Sequence, residues 1–437
     1  MSADLLALDA RHVWHPFTQS ATAGVPLVAV SGRGATLVTA DGRELLDLVS
    51  SWWVNLHGHA HPAIVEAVAT QAATLEQVIF ADFTHRPAAE LAARLAGHLP
   101  GDLDRVFFSD DGSTAVEVAL KMALQYWRNV GQPGRDRFIG FEGGYHGDTV
   151  GAMSAGRSSG FFSAWEGLLF PVETVPFPAT WDGDDRVAAR EAEALAALDR
   201  AFAAQPGRVA AVIAEPLIQG AGGMRMCRPA FLAAVAERVR AAGALLILDE
   251  VMTGFGRTGP LFACLKAGIT PDLVCLSKGI TGGFLPMAAT VAREPIHQAF
   301  LGASLDVAFL HGHSYTANPL GCAAGLASLD LLEGAACTAR RAAIEAIHRD
   351  RLDDLARRGR VARTRLCGTV AACTVGAGGA GYGAAIGPKI KAAALGRGLL
   401  LRPLGDVLYL LPPYCITDAE LHRAWDGIDA ILAELAG

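Results

Sequence analysis

Lysine is scarce in this chain of 437 residues: Lys121, Lys266, Lys278, Lys389 and Lys391 are all there are, and arginine supplies the remaining basic groups. No basic tract interrupts a net charge of −7, which argues against nucleic acid as a main partner. No apolar run reaches the length of a membrane span, so no membrane partner is expected. The eight cysteines form no C-x-x-C pair and read as reduced, mostly buried thiols of a cytoplasmic protein. The first ten residues carry acids and no positive n-region, and so do not read as a signal peptide. What the chain has is apolar bulk, 51% hydrophobic residues and 49 glycines, enough for a large core with many tight turns.

From about Leu91 to Thr290, short apolar runs alternate with alanine-rich stretches of helical period. The strand candidates are Val106–Phe108, Phe138–Phe141, Val209–Ala214, Ala244–Leu248, Leu273–Leu276 and Ala288–Ala292, with helices expected over Thr114–Arg128 and Ala230–Ala241. This predicts an α/β fold with a mainly parallel sheet and ligands beyond the carboxyl ends of its strands. The start differs: Leu27–Val30, Ala35–Val38 and Glu44–Val49, with a D-G turn before the last, predict a small antiparallel unit. After Thr316 come long helices, then strands near Leu399–Arg402 and Val407–Leu411. Ala371–Gly387, rich in glycine and alanine, reads as a mobile loop. The expected division is a large domain over 61–315 and a smaller one built from both chain ends, 1–60 and 316–437.

Scarcity singles out Lys278. Asp249 closes the run A-L-L-I-L, and Lys278 follows twenty-nine residues on, after L-V-C-L and beside glycines that admit a ligand. A strand ending in a carboxylate and another ending in a lysine suit pyridoxal phosphate (PLP). The amine forms a Schiff base with the aldehyde, and the carboxylate keeps the pyridinium protonated. Gly112 and Ser113, between a strand and a helix, suit a phosphate at a helix N-terminus. The same stretch also reads as a capping box, with Thr114 as cap and Glu117 answering it. Tyr145, in a glycine-rich turn, either stacks on a planar ring or packs as an ordinary turn aromatic. Trp52 and Trp53 read as core or as an apolar substrate wall, and Arg257 and Arg402 as carboxylate holders or surface groups. The histidines of H-G-H-A-H at 57–61 and H-G-H at 311–313 read as loop residues, with no metal expected.

The signature A-L-L-I-L-D-E-V-M-T-G-F-G-R-T-G, followed by P-D-L-V-C-L-S-K-G-I-T-G-G, resembles the fold-type I, class III aminotransferases over nearly the whole chain. V-W-H-P-F-T-Q, S-S-W-W-V-N-L-H-G-H, G-Y-H-G-D-T and R-P-L-G-D-V-L-Y-L-L-P-P-Y are similar to the members that aminate 8-amino-7-oxononanoate to 7,8-diaminononanoate in biotin synthesis. The resemblance implies a homodimer with shared active sites, taking a small amino donor and a keto acid acceptor. By position it gives Lys278 the Schiff base, Asp249 the pyridinium nitrogen, Tyr145 the ring face, and Gly112 and Ser113 the phosphate. Ser314 would reach the phosphate of the neighbouring subunit, with Gly312 beside it. Phe17, Trp52 and Trp53 would wall the substrate, Arg402 would hold the acceptor's carboxylate, and Glu215 would neutralise that arginine. Phe17 stands where some relatives that use S-adenosylmethionine have tyrosine, so the donor is S-adenosylmethionine or lysine. Two other readings stand beside this one: another class III ω-amino acid or diamine aminotransferase, and a non-catalytic PLP-binding regulatory protein.

Overall fold

A computed structural model describes residues 2–376 and 384–436. Its strands are β1 (Ala29–Arg33), β2 (Thr36–Thr39), β3 (Glu44–Asp47), β4 (Arg105–Ser109), β5 (Arg137–Phe141), β6 (Glu173–Val175), β7 (Val209–Ala214) and β8 (Ile218–Gln219). They continue with β9 (Arg225–Met226), β10 (Leu245–Asp249), β11 (Leu273–Leu276), β12 (Ala288–Ala292), β13 (Ala362–Cys367), β14 (Val370–Thr374), β15 (Leu399–Leu400) and β16 (Val407–Leu410).

The α/β expectation holds. Seven strands form the central sheet in the order β4-β12-β11-β10-β7-β5-β6, and all pairings are parallel except the two that β12 makes. Because β4 and β11 both run antiparallel to β12, they run parallel to each other. β7, β10, β11 and β12 are buried along their whole length, which is why they read as unbroken apolar runs. All six strand candidates of this region are strands. β6, on the sheet edge, is short and was not foreseen.

At the N-terminus β1, β2 and β3 form the expected antiparallel unit, although β1 runs on to Arg33 and the turn is carried by Gly34 at φ +56°. β15 then adds to β3 in parallel, joining the two chain ends in one sheet. Arg402 lies beyond β15 in the irregular link to β16, not on a strand shared with Tyr409. The loop expected over Ala371–Gly387 is corrected at both ends. Val370–Thr374 is a fully buried strand between β13 and β16, and a helix begins at Ile386. Residues 377–383 of that stretch lie outside the described residues. No single described helix is long and apolar enough to cross a membrane.

Candidate active site

Strand direction brings the motifs together. β4, β5, β7, β10 and β11 are parallel, so Ser109, Phe141, Ala214, Asp249 and Leu276 end on one edge of the sheet. Asp249 pairs across the ladder with Cys275, which sets Lys278 three residues beyond the same level. A pocket of about 470 Å³ opens at this edge, lined by Gly112, Ser113, Tyr145, Glu215, Asp249 and Lys278.

Lys278 sits in a turn (Lys278–Thr281) at φ +46°, a left-handed conformation that a lysine adopts only under constraint. Ser277 supplies part of that constraint, its Oγ donating to the Met287 carbonyl at 2.8 Å. Lys278 Nζ lies 5.3 Å from the centre of the Trp53 ring. Burial pushes its pKa down, against the pull of Asp249 and Glu215.

Asp249 is held by two donors. The Val251 N–H donates to Oδ1 at 3.0 Å, and His146 Nδ1 bonds to Oδ2 at 2.7 Å. Burial opposes charge on His146, yet the bond to Asp249 carries its pKa above the usual histidine value. His146 was missed in the sequence, where only the tyrosine of G-Y-H-G-D drew attention. Its signal was a histidine in the first turn after a buried strand, beside that tyrosine.

The loop after β4 is capped differently from the expectation. Asp111, not Thr114, caps the helix Gly112–Asn129, and Thr114 answers it in a reciprocal capping box. Glu117 instead accepts from the Gly151 and Ala152 N–H groups at 2.6 and 3.2 Å. Gly112 and Ser113 thus stand at the first two helical positions, with N–H groups that the helix itself does not use. A Cβ on Gly112 would come within 2.7 Å of Val251, so the approach is open only to glycine.

Tyr145 stacks on Phe162, with ring centres 6.0 Å apart and planes at 24°. Burial, then Asp148, pushes its phenol pKa up, so the hydroxyl keeps its proton. Glu215 accepts from the Tyr145 and Gly220 N–H groups at 3.0 and 2.9 Å, and burial raises its pKa to about 7. It forms no ion pair with Arg402 among the described residues.

A second chamber adjoins the pocket and shares Trp53, Tyr145 and Lys278 with it. Phe17, Trp52 and Arg402 line it, with the Arg402 guanidinium 3.9 Å from the Trp52 ring centre. Phe17 lies edge-on to Trp52 at 5.8 Å. Trp53 is buried, its Nε1–H donating to the Tyr409 hydroxyl at 2.9 Å. Arg257 is absent from this wall: it is buried, donating to the carbonyls of Pro412 and Asn55. Its reading as a carboxylate holder fails because it lines neither chamber. Gly312 and Ser314 are exposed and line neither chamber, and the Ser314 carbonyl accepts from Gln77 at 2.6 Å.

The residues present fit PLP. A buried carboxylate, a desolvated lysine, an open helix N-terminus and a flat aromatic share one pocket. Residues 18–432 match the aminotransferase class-III family. The chain is a class III aminotransferase. A relative from Synechococcus elongatus, an adenosylmethionine-8-amino-7-oxononanoate aminotransferase, is 59% identical over 424 residues, 97% of this chain and 99% of that one. The crystal structure of the enzyme of that name from Methanocaldococcus jannaschii superposes with a TM-score of 0.92 at 33% identity, covering 99% of both chains. An (S)-enantioselective omega-transaminase from Thermomicrobium roseum superposes as well, with a TM-score of 0.92 at 32% identity over 100% and 99% of the chains. The aminotransferase therefore uses PLP, and the reading as a non-catalytic binding protein is set aside. Fold likeness alone does not separate the acceptors of this class.

Proposed function

We propose that this aminotransferase passes an amino group to 8-amino-7-oxononanoate, giving 7,8-diaminononanoate in biotin synthesis. One observation carries the reading: an apolar aromatic chamber has the Lys278 amine at one end and, elsewhere on its wall, a guanidinium with no carboxylate partner among the described residues. A long aliphatic keto acid with a terminal carboxylate matches that arrangement, because a desolvated carboxylate needs a cation. The names of the relatives point the same way.

Lys278 would hold the cofactor, Asp249 would pair with its ring nitrogen, and Gly112 and Ser113 would bind its phosphate. Tyr145 would cover the ring, Glu215 would stand ready to counter Arg402, and Phe17, Trp52 and Trp53 would wall the substrate. Bound there, PLP supplies an electron-withdrawing ring that weakens the C–H bond of the amine carbon. The Lys278 amine, when not holding the cofactor, would serve as the base that takes the proton from the donor carbon. The walls exclude water from that transfer.

S-adenosylmethionine is the proposed donor, since Phe17 and Trp52 line the chamber with aromatic rings, which attract a sulfonium. A homodimer with shared sites is proposed too. Gly312 and Ser314 are exposed, Leu310 and Tyr315 beside them are exposed too, and Ser314 bonds to Gln77 two residues from the exposed Ile79; apolar side chains of this kind suit burial against a partner. The eight unpaired cysteines agree with a cytoplasmic location. The β3–β15 pairing supports residues 1–60 and 316–437 as one smaller domain around 61–315.

Single-turnover assays of the two half-reactions test the function. S-adenosylmethionine should convert the cofactor to its amine form, and 8-amino-7-oxononanoate should convert it back. Lysine acting in place of S-adenosylmethionine would reassign the donor. Turnover with 4-aminobutyrate or ornithine, and none with the oxononanoate, would establish the ω-amino acid reading instead.

A further inference from the structure

A second cavity, of about 440 Å³, meets the substrate chamber at Phe161, Ala221 and Leu404. Three guanidiniums line it: Arg225, Arg363 and Arg365. None of them has an ion pair among the described residues. The backbone holds two of them in place. Arg365 is buried, its Nε–H donating to the Met224 carbonyl at 2.7 Å, Nη1 to Arg363 at 2.8 Å and Nη2 to Gly223 at 2.9 Å. Arg225 donates from Nη1 to the Glu142 carbonyl at 2.9 Å and from Nη2 to the Phe177 carbonyl at 3.2 Å. A Cβ on Gly143 would fall on Arg225 Nη1, so that glycine is what leaves room for the guanidinium.

The third arginine is aimed by a distorted backbone. Between Ala362 and Arg365 the register of β13 against β14 shifts, and Arg363 takes φ +49°. Its guanidinium then lies 4.7 Å from the Trp181 ring centre, at the cavity wall. Carbonyl oxygens take five of the N–H donors of Arg225 and Arg365, leave others free, and do not cancel the charge. Among the described residues one carboxylate, Asp406, lines the cavity against three guanidiniums, while Glu142 and Glu215 act on Arg225 from outside it without forming an ion pair. Arg365 is buried and Arg225 partly so, and the surplus positive charge over the cavity favours an anionic ligand.

We propose that this cavity is an anion subsite for a small doubly charged molecule, of phosphate or dicarboxylate type, separate from the cofactor's phosphate loop. Planar guanidiniums recognise such oxygens in pairs. Occupancy changes the mouth of the neighbouring chamber through the shared Phe161 and Leu404. The subsite stands whichever acceptor the enzyme uses, since it is read from the charge balance of its own cavity.

Titration calorimetry of the PLP-loaded enzyme with inorganic phosphate tests it. Phosphate should bind at one site per chain, with the cofactor content unchanged. Arg363→Gln, at an exposed residue outside both catalytic chambers, should weaken that binding about tenfold, the effect of losing a charge-assisted contact. It should leave kcat without phosphate as it was. Arg225→Gln should weaken binding similarly, and succinate should compete with phosphate in the unaltered enzyme. The proposal is overturned if phosphate does not bind at tens of millimolar. It is equally overturned if both variants bind phosphate as tightly as the unaltered enzyme.

Discussion

The two ends of the site are built differently. At the inner end the carboxylates and Ser113 are tied: Asp249 to His146 and Val251, Glu215 to Tyr145 and Gly220, and Ser113 Oγ to the Asp148 N–H at 3.1 Å. At the outer end Phe17 and Trp52 are 55% and 38% exposed, and Arg402 rests on a ring face instead of a carboxylate. Tied groups need no rearrangement when charge moves, which suits the step that every member of the class performs. Loose groups can fit around a substrate, which suits the part that differs between members. Inner substitutions should therefore stop both half-reactions, and outer ones should discriminate between them.

The largest effect belongs to Lys278. Lys278→Ala removes the amine proposed to hold the cofactor and move the proton, and absorbance of a lysine-linked cofactor and turnover should vanish together. A protein–cofactor link that persists in the variant would remove Lys278 from its role. Asp249→Asn should keep the cofactor bound and lose most of the rate in both halves. Near-normal turnover there would break the picture of a rigid inner end.

Next is Arg402. Arg402→Met should raise the apparent KM for the keto acid, and kcat/KM should fall tens-fold or more. Losing a buried charge pair costs roughly 2–5 kcal/mol, and the partly exposed Arg402 belongs toward the lower end. If the donor half-reaction is spared in stopped flow, the outer end is specific to the acceptor. If both halves suffer, the donor's carboxylate uses the same arginine. An unchanged acceptor half-reaction would take Arg402 out of the site.

The same contrast governs what could be read from the sequence. β7, β10 and β11 were legible because strands buried on both faces must be apolar throughout, and glycine or acid residues mark their ends. β14 was not, because Val-Ala-Ala-Cys-Thr has little strand propensity of its own. It is a strand because β13 and β16 offer hydrogen bonds on either side. Asp249 and Lys278 stood out at strand ends, but His146 acquires its meaning from a partner 103 residues away. Arg257 and Arg402 were indistinguishable for the same reason. The carbonyls that absorb Arg257 belong to Asn55 and Pro412, distant in the chain and silent in any motif.

A smaller effect should appear in stability against pH. The Glu215 carboxyl has a pKa of about 7 in the folded chain against 4.5 ordinarily, so the folded state binds the extra proton between those values. Stability is then greatest below about pH 4.5 for this group and is lost as pH rises towards about 7. The whole shift corresponds to about 3 kcal/mol at most. In cofactor-free protein, the thermal midpoint should fall less across this range for Glu215→Gln than for the unaltered chain. Parallel curves would mean that Glu215 is ionised throughout, its backbone donors outweighing burial.

The smallest effect should come from Ser314, and it tests whether the inner end is complete within one chain. Gly112 and Ser113 have N–H groups that the helix does not use, but Ser314 is exposed and lines neither chamber of its own subunit. If its hydroxyl serves the neighbour, Ser314→Ala should lower the affinity for PLP by the worth of one hydrogen bond to a charged group. That is about 1.5–3 kcal/mol when buried, and less for a partly wet contact, so a several-fold loss is expected. The purified chain should sediment as a dimer, and dilution to monomers should release PLP and activity together. Mixing the Ser314→Ala chain with a Lys278→Ala chain sharpens the result. In the mixed dimer the intact lysine sits in the chain whose phosphate is served by an unaltered Ser314, so PLP affinity at that site should return to normal. Unrestored affinity would mean that Ser314 acts within its own chain or not at all, and a fully active monomer would place the whole inner end in one subunit.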